Sequence, residues 1–249
     1  MKVSIITVCY NSAKTIASTI ESVRVQGYDN TEHVIVDGSS SDNTLDILKN
    51  YSSLKIISEP DSGIYDAMNK GVVMSSGDII TILNSDDFYL HDNVLSEALS
   101  LFDADPELEV VLGDVDFVQG DDLARPVRSY RAGNFRPWMF RFGLMPPHPA
   151  VFIRRSAYDR VGLYKLDYQI AADFDFLTRL LLVDGAKYKS AHKTWVRMRL
   201  GGVSTFGLKS NLVSTKEMQR SLCENSLFAN SLMLMCRLPY KFITQVIGR

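Results

Sequence analysis

The sequence lacks the features that would place it in several large classes of protein. Its three cysteines, Cys9, Cys223 and Cys236, have neither the spacing of a metal site nor that of a disulfide framework, so we expect a reduced, intracellular protein. The net charge of −2 gives no overall indication of nucleic-acid binding. The longest uncharged apolar stretch of the C-terminal part, residues 226–236, is too short for a membrane-spanning helix, which needs about 20 residues.

Linkers and leader signals are also missing. No low-complexity segment or internal repeat divides the chain, and the apolar residues 3–8 lead into Tyr10 and Asn11 without a cleavage-site pattern. We therefore expect one folded domain over residues 1–206, with residues 3–8 as its first strand.

Charge is spread unevenly along the chain. Residues 207–249 contain six Lys or Arg and two Glu, a net charge of +4 that leaves −6 for residues 1–206. Apolar and aromatic residues recur among these basic residues, which predicts a basic amphipathic helical appendage. Such a segment could lie on an anionic membrane surface, or pack on the domain or on a second copy of the chain, and the pattern does not choose between them.

Strands and helices alternate in the first part of the chain. Predicted strands cover residues 3–8, 33–37, 54–58 and 78–83, and the segments between them carry apolar residues at helical spacing. This order predicts an α/β fold with a mostly parallel, Rossmann-like sheet and helices on both faces. Further on, we predict helices over 93–102 and 171–185 and strands over 109–118 and 195–205, with another strand after the proline-flanked His148.

Polar residues follow each of the first four predicted strands. They are Tyr10 and Asn11, Asp37 and Gly38, Glu59 to Asp61, and Asp86 and Asp87. Because the carboxyl ends of parallel strands meet at one edge of the sheet, where ligands bind, we expect these side chains to line one site.

Asp86 and Asp87 are two like charges at the end of an apolar strand. A hard cation such as Mg²⁺ or Mn²⁺ would remove their repulsion and leave positions for phosphate oxygens. The alternative is a solvated turn, since Asn, Ser and Asp are common turn residues.

Two other segments of this edge also have both a functional and a structural interpretation. Asp37 could accept a hydrogen bond from a pyrimidine imide or a ribose hydroxyl, with Gly38 allowing close approach of a ligand, or it could cap the next helix. In residues 59–71, Asp61 could contact a nucleotide, and Asp66 and Lys70 could line the pocket. Asp66 and Lys70 could equally form an i,i+4 ion pair on a solvated face.

Seven segments occur in an order and spacing that carry a family resemblance. They are TVCYNS (7–12), VIVDGSSSDNT (34–44), EPDSGIYDAMNKG (59–71), LNSDDFY (83–89), HPAVFIRR (148–155), ADFDFLTRL (172–180) and LGGVST (200–205). On these segments the chain resembles the inverting family-2 glycosyltransferases of the GT-A fold, and within them the bacterial subgroup that builds colanic-acid-type exopolysaccharide and O-antigen repeats. The resemblance covers roughly residues 1–206.

The resemblance implies a division of labour among the site residues. Asp37 would read the nucleotide base, with Val8, Tyr10, Asn11, Gly38 and Asp61 also in the nucleotide site. Asp87 would hold the metal, Mn²⁺ or Mg²⁺, with Asp86 at the ribose or the metal. Asp173 would be the general base, although Ala172 stands where many members carry an acid; Asp175 is a competitor that we expect to be structural.

Asp66, Lys70, His148 and Arg199 are assigned to the donor and acceptor pocket. Arg199 is a candidate phosphate contact, and His148 lies in a segment that the family places on the acceptor side. His192 is a weak match to a third metal ligand of some relatives, and Trp138 and Trp195 are expected to be packing residues.

The implied reaction is metal-dependent, inverting transfer of a sugar from a nucleoside-diphosphate sugar, with UDP favoured, to a glycan or undecaprenyl-linked acceptor. The expected location is the cytoplasm, on the inner-membrane surface if the C-terminal segment binds lipid, and a homo-oligomer is compatible with the sequence. The rival interpretations are a sugar nucleotidyltransferase and a nucleotide-sugar-binding protein without catalysis.

Overall fold

The computed structural model describes residues 1–120, 122–201 and 208–237. The strands are β1 (Val3–Cys9), β2 (Thr31–Asp37), β3 (Lys55–Ser58), β4 (Ile79–Ile82), β5 (Asp87–Tyr89), β6 (Val110–Val118), β7 (Arg128–Tyr130), β8 (Val151–Arg154) and β9 (Tyr188–Arg199). The α-helices are α1 (Ile16–Arg24), α2 (Thr44–Leu48), α3 (Ile64–Met74), α4 (Val94–Ala104), α5 (Arg155–Val161), α6 (Ala172–Thr178), α7 (Leu208–Glu224) and α8 (Ser231–Met235).

The strands form one mixed sheet in the order β3-β2-β1-β4-β8-β6-β9-β5, with β7 paired to β6. β3, β2, β1 and β4 run parallel, as predicted for the first four strands. β8 runs antiparallel to both β4 and β6. Loops and short 3₁₀ helices connect β6 to β8 in place of a crossover helix, and antiparallel pairing suits such connections. The α/β class is thus confirmed: four neighbouring parallel strands lie in the first 82 residues, and β6 and β9 form a further parallel pair.

Both faces of the sheet are covered. Every residue of β1 is buried, with Ile6 and Val8 in the core that includes α3, and Val3 and Ile5 in the core that includes α4. Burial on both faces explains why this strand is a nearly continuous apolar run without alternation.

Strand β9 begins earlier than the sequence indicated. The prediction covered 195–205, whereas β9 starts at Tyr188 and ends at Arg199; residues 202–205 lie outside the described part of the chain. β5 pairs antiparallel with the end of β9, so that Asp87 lies opposite Met198. This long-range pairing brings the last residues of β9 to the Asp86–Asp87 pair.

The predicted helix over 171–185 is divided. α6 ends at Thr178 and continues as a π-helical turn over Arg179–Val183. The apolar residues of α6 are buried as expected, and the helix contacts α7 and the 3₁₀ helix Pro137–Phe142, whereas Val183 at the end of the π-helical turn is 53% exposed.

The C-terminal segment packs on the domain over its described residues. α7 contacts α6, and α8 contacts both α7 and the 3₁₀ helix Pro137–Phe142. Met218, Leu222 and Leu234 belong to the same core as α3 and β1. The apolar and basic residues from 238 to 249 that contributed to the membrane-surface alternative lie outside the described residues. No helix within the described ranges has both the length and the apolar character needed to cross a membrane.

Candidate active site

The Asp86–Asp87 pair lies at the end of the short connection between β4 and β5. The backbone N–H of Asp87 donates to Asn84 O at 3.0 Å, so a turn is indeed present. The Thr19 hydroxyl of α1 stabilises this turn: it lies 2.7 Å from Asp87 O, the closer acceptor for its one proton, and 3.0 Å from Ser85 O. The turn and the proposed metal site are therefore compatible, because the backbone forms the turn and the side chains remain available.

The Asp87 carboxylate has only weak protein partners among the described residues. Its residue is 1% exposed, and its side chain has a long contact of 3.5 Å from Asn84 Nδ2, with the backbone N–H and the charge of Arg199 as the other stabilising groups. Burial, followed by the neighbouring charge of Asp86, raises the pKa of Asp87 well above its ordinary value. Burial also raises the pKa of Asp86. The pair is thus costly as two bare charges, and a cation would offset that cost.

The oxygens at this turn fit a hard divalent cation. Asn84 Oδ1 is buried and has no hydrogen-bond partner among the described residues, and it belongs to the same amide that reaches Asp87. Carboxylate and amide oxygens are the ligands that Mg²⁺ and Mn²⁺ accept. The described residues contain no group of three or more His, Cys, Asp or Glu arranged for a metal. Further ligands would therefore have to come from elsewhere, such as the phosphates of a bound nucleotide.

Arg199 is next to this pair. Its Nη1 donates to Asp86 O at 2.6 Å and its Nη2 to Ser18 Oγ at 3.0 Å, and the guanidinium lies 4.7 Å from the centre of the Phe88 ring. Burial lowers the pKa of Arg199, although that of a guanidinium stays far above neutrality. A fixed positive charge therefore accompanies the two carboxylates.

Asp37 is fully buried at the end of β2 and is saturated by protein donors. Its Oδ1 accepts from Ser40 Oγ at 2.5 Å and lies 3.6 Å from Cys9 Sγ. Its Oδ2 accepts from Ser40 N at 3.0 Å and Ser58 Oγ at 2.6 Å. The side chain thus organises the turn after β2, and a nucleobase would have to replace one of these donors.

Gly38 allows three chain segments to meet at the edge. A β-carbon at this position would collide with the Asp61 carboxylate and lie 3.6 Å from the ring of Tyr10. Asp61 itself accepts from Gly63 N at 2.9 Å. The sequence-predicted neighbours Tyr10, Gly38 and Asp61 are therefore brought together.

The residues at the end of β1 differ in availability. Tyr10 is 64% exposed and offers its ring to a ligand. Asn11 has a positive φ of 50°, and its Oδ1 accepts from Ser41 N at 2.8 Å, so it clamps the turn after β2. Val8 is a core residue, and its side chain cannot contact a nucleotide in this structure.

Asp66 and Lys70 form the i,i+4 ion pair that was the structural alternative. Lys70 Nζ lies 3.5 Å from Asp66 Oδ2 and 2.9 Å from Glu59 Oε1, and it donates to Pro60 O at 2.9 Å. Asp66 also accepts from Ser62 N at 3.0 Å. Both side chains hold the loop before α3, and Asp66 borders a cavity of about 410 Å³ between residues 62–66 and 166–169.

Asp173 is connected to this cavity by Tyr65, which contacts Asp173 and lines the cavity wall. Its Oδ1 accepts from Phe174 N at 2.8 Å and lies 3.3 Å from Tyr65 Oη, and Tyr65 lines the cavity. The single hydroxyl proton of Tyr65 has a closer acceptor in Ile170 O, at 2.5 Å. Burial raises the pKa of Asp173 to about 6, which places this carboxylate in the range of a general base near neutral pH.

Asp175 has the opposite environment, on the same helix. It is fully buried, with Arg179 Nε at 2.8 Å, Ser221 Oγ at 2.9 Å and Lys165 Nζ at 3.3 Å. The expectation that Asp175 is structural agrees with this saturation. Arg179, four residues further along the chain, pairs with Asp175 and not with Asp173.

His148 is buried and does not line the cavity. Its Nε2 lies 2.9 Å from Tyr164 Oη, and burial lowers its pKa to about 4, so the ring is neutral. Tyr164 in turn stacks on Tyr65, with ring centres 6.0 Å apart. His148 thus reaches the site only through tyrosines, and direct contact with an acceptor is not available to it.

The remaining candidates lie away from the carboxylate pair. His192 is exposed, six residues before Met198 along β9, a separation of roughly 20 Å in an extended strand. Trp195 is fully buried and donates to Glu97 at 2.9 Å, as expected of a packing residue. Trp138 is exposed and packs edge-on against Phe142.

Sequence reasoning missed two residues of this site. Tyr65 lies within the family-like segment 59–71, and an aromatic residue beside a predicted pocket was a usable signal. Glu217 of α7, which accepts three hydrogen bonds from the backbone just before α6, lies in the segment without family resemblance, where no signal pointed to it.

Known proteins similar in sequence share a broad activity. An uncharacterised glycosyltransferase of Mycobacterium tuberculosis is 33% identical over 190 residues, which cover 73% of this chain and 69% of that relative. A PGL/p-HBAD biosynthesis glycosyltransferase of Mycobacterium bovis is 30% identical over 225 residues, covering 88% of this chain and 83% of that one. The UDP-Glc:alpha-D-GlcNAc-diphosphoundecaprenol beta-1,3-glucosyltransferase WfaP of Escherichia coli is 27% identical over 210 residues, with 81% and 79% covered.

Solved structures share the fold. TarS of S. aureus, in complex with UDP-GlcNAc, superposes with a TM-score of 0.68 at 18% identity; the match covers 89% of this chain and 66% of that one. The mannosyltransferase PcManGT of Pyrobaculum calidifontis, in complex with GDP-Man and Mn²⁺, gives a TM-score of 0.69 at 17% identity, covering 99% and 73%. This chain thus spans about two thirds of the TarS chain and more of the other.

The family model named Glycosyl transferase family 2 matches residues 4–162, well over half of the chain. That span contains the carboxylate pair, the turn after β2 and the cavity-lining start of α3. The match favours sugar transfer over the nucleotidyltransferase alternative. On the family model and the sequence relatives together, this chain belongs to glycosyl transferase family 2.

Proposed function

We propose that this protein is a metal-dependent, inverting glycosyltransferase that moves a sugar from a nucleoside-diphosphate sugar, with UDP favoured, to a hydroxyl of a glycan or lipid-linked acceptor. The single observation that carries the proposal is the Asp173 carboxylate, whose pKa is raised to about 6 beside a cavity. Tyr65, its neighbour, is the second residue of α3, the helix that follows the carboxyl end of β3, and this supports placing Asp173 at the same edge of the sheet as Asp87.

The donor would lie along this edge. Tyr10 would stack on the base, with the Gly38 backbone and Asp61 next to it and Asp37 behind it. The diphosphate would reach Arg199, whose guanidinium is held over Phe88. Asp87 and Asp86, with Asn84, would hold a divalent cation, which when bound would offset the negative charge of the diphosphate leaving group.

The acceptor hydroxyl would approach Asp173. The carboxylate takes the hydroxyl proton, the acceptor oxygen forms a bond to the anomeric carbon, and the bond from that carbon to the diphosphate oxygen breaks. A single displacement inverts the anomeric centre and leaves the proton on Asp173. With a pKa of about 6, Asp173 is mostly ionised at pH 7 and still basic enough to receive the proton.

The names of the relatives support a lipid-linked acceptor. WfaP is named for a diphosphoundecaprenol acceptor and a UDP-sugar donor, and the Mycobacterium bovis relative for PGL biosynthesis. We therefore place the reaction in bacterial surface polysaccharide or glycolipid synthesis. Within that class, we propose the synthesis of colanic-acid-type exopolysaccharide or O-antigen repeats.

A lipid-linked acceptor would be met at a membrane surface. Phe228 and Leu232, before and within α8, are 72% and 76% exposed, in a segment with an excess of basic residues. We propose that this face touches the cytoplasmic side of the inner membrane. Flotation with phosphatidylglycerol vesicles should fall for Phe228→Ser combined with Leu232→Ser but not for Val73→Ser, an equally exposed site on α3 at 71%. Equal flotation of the wild type, the double variant and Val73→Ser would exclude the proposed membrane contact.

The activity is tested with a panel of UDP- and GDP-sugars and a diphosphoundecaprenol-linked sugar acceptor, with Mn²⁺ and with EDTA. We expect release of the nucleoside diphosphate with Mn²⁺ only, and a product whose anomeric configuration, read by NMR, is opposite to that of the donor. Release of pyrophosphate would indicate a nucleotidyltransferase, retention of configuration would exclude single displacement, and full activity in EDTA would exclude the metal.

A further inference from the structure

The helix that carries Asp173 begins without a capping side chain of its own. The residue before α6 is Ala171, and no side chain of the N-cap residue accepts a hydrogen bond there. Alanine is a poor residue at this position, because its methyl group cannot accept from the free backbone N–H groups. The start of α6 therefore needs a partner from elsewhere in the chain.

Glu217 of α7 holds the three residues that lead into this helix. Its Oε1 accepts from Gln169 N at 2.7 Å, and its Oε2 accepts from Ile170 N and Ala171 N, each at 2.9 Å. Three short hydrogen bonds to one carboxylate are charge-assisted and stronger than neutral ones. A residue more than 40 positions away in sequence thus sets the path of the chain into α6.

The same three residues connect to the site. Gln169 lines the cavity, and Ile170 O accepts the hydroxyl of Tyr65, which also contacts Asp173. Asp173 follows Ala171 by only two positions. Any shift of residues 169–171 would therefore move the cavity wall, the Tyr65 hydroxyl and the base together.

Glu217 also acts on Asp173 through its charge. Desolvation is the largest cause of the raised pKa of Asp173, and the Glu217 carboxylate raises it further. The other titratable groups that act on this cluster are Tyr65 of α3 and Tyr164 of the segment before α6. The nearby cations are engaged by other acids: Lys165 and Arg179 by Asp175, and Arg220 by Glu224 and Asp167.

We propose that Glu217 is a positioning residue for the general base Asp173. Through Glu217, α7 contributes to the active site. The proposal rests on the proposed role of Asp173. It assigns a catalytic consequence to a C-terminal helix that the family resemblance leaves uncovered.

Glu224 provides the matched control. It lies on the same helix and fastens α7 to the domain through Lys165 Nζ at 2.8 Å and Tyr168 Oη at 3.1 Å, and it pairs with Arg220 within α7. Its hydrogen bonds go to Lys165, Tyr168 and Arg220, and not to residues 169–171. Glu217→Gln and Glu224→Gln each remove one negative charge from α7 and keep the shape of the side chain.

The experiment measures Asp173 in two ways in the full chain. Carboxyl ¹³C NMR follows its titration in the wild type and in the two variants, and the pH dependence of kcat/KM follows the acid limb of sugar transfer. Thermal unfolding checks that all three proteins are folded at the assay temperature.

For Glu217→Gln we expect the NMR titration and the acid limb to move together to lower pH, since a negative neighbour is lost, and kcat to fall about tenfold through misplacement of the base. Glu224→Gln should leave both pH values unchanged. The proposal is overturned if Asp173 titrates in Glu217→Gln as in the wild type, or if both variants move it equally. If Asp173→Asn kept full turnover, the role of Asp173 as base would fail, and the NMR titration would still decide whether Glu217 acts on it.

Discussion

The edge formed by β1, β2 and β4 and the region where α6 meets α7 each contain one saturated and one nearly unpartnered carboxylate. At the edge, Asp37 has donors from Ser40 and Ser58, whereas Asp87 has a 3.5 Å contact from Asn84 and a weak backbone contact from Arg199. On α6, Asp175 is bonded to Arg179, Lys165 and Ser221, whereas the hydrogen bonds of Asp173 within the described residues both fall on one oxygen. Saturated acids support the backbone, and unsaturated ones are free for chemistry.

The two regions differ in where the partners come from. The side-chain hydrogen bonds of Asp37 and Asp87 come from within 28 residues along the chain, and Arg199 is the long-range partner of the Asp86–Asp87 pair. Those around α6 come from up to 108 residues away, in α3 and α7. The carboxylates of the edge thus depend mostly on nearby segments and those of α6 on distant ones, so substitutions should have more local consequences in the first region than in the second.

The largest expected effect is on the base. Asp173→Asn should lower kcat by about 10²–10⁴-fold, the usual contribution of a general base, with the fold intact because an amide can keep the contact with Phe174 N. Steady-state release of the nucleoside diphosphate measures it. Asp167→Asn, in the cavity wall and paired only with the exposed Arg220, is the control and should stay within a few-fold of wild type. Comparable rates for both variants would remove Asp173 as base.

Asp175→Asn should reduce stability and leave the chemical role of Asp173 in place. Removing one partner of a buried ion pair costs about 3–5 kcal/mol in the free energy of unfolding. Urea denaturation measures this loss against Asp184→Asn, which breaks a surface pair with Arg160 worth about 0–1 kcal/mol. If the two variants were equally stable, saturation would not distinguish structural from chemical acids here.

Asp87→Asn tests the other unpartnered carboxylate. We expect Mn²⁺ affinity, read by titration in the presence of nucleoside diphosphate, to fall by at least about 10- to 100-fold, the range seen even for residues that only support a ligand. Asp92→Asn, an exposed acid five residues on, should have no effect. Unchanged Mn²⁺ binding would return the pair to an ordinary turn.

Tyr65→Phe should have the smallest effect on activity, and the direction of the expected shift in the pKa of Asp173 is defined. The Tyr65 hydroxyl lowers the pKa of Asp173, so its removal should raise that pKa above about 6 and move the acid limb of kcat/KM to higher pH. The base must be ionised, so activity below pH 6 should fall more than activity at pH 8. This shift is opposite to that expected for Glu217→Gln, and a shift in the same direction would contradict the electrostatic account of the α6 region.

The first four strands were predictable because their apolar runs, helical spacing and polar ends are local signals. The gathering of Tyr10, Gly38 and Asp61 followed from one rule about parallel sheets. The antiparallel pairing of β5 with β9 could not be predicted by any such rule. It joins three residues to a strand more than 100 positions later, and neither segment carries a sequence pattern that indicates its partner. The burial of His148 behind Tyr164 could not be predicted for a related reason, because it depends on packing and not on the neighbouring prolines.

By itself, the sequence determined the α/β class, the edge at which the acids meet and the acids themselves, because backbone propensity and residue chemistry are properties of short segments. Only the tertiary structure decided which acids are saturated, that Arg199 stands beside Asp86, and that Glu217 holds the start of α6. Those outcomes depend on distant donors and charges coming close together and on the exclusion of water around them. Both conditions arise only when the chain has packed.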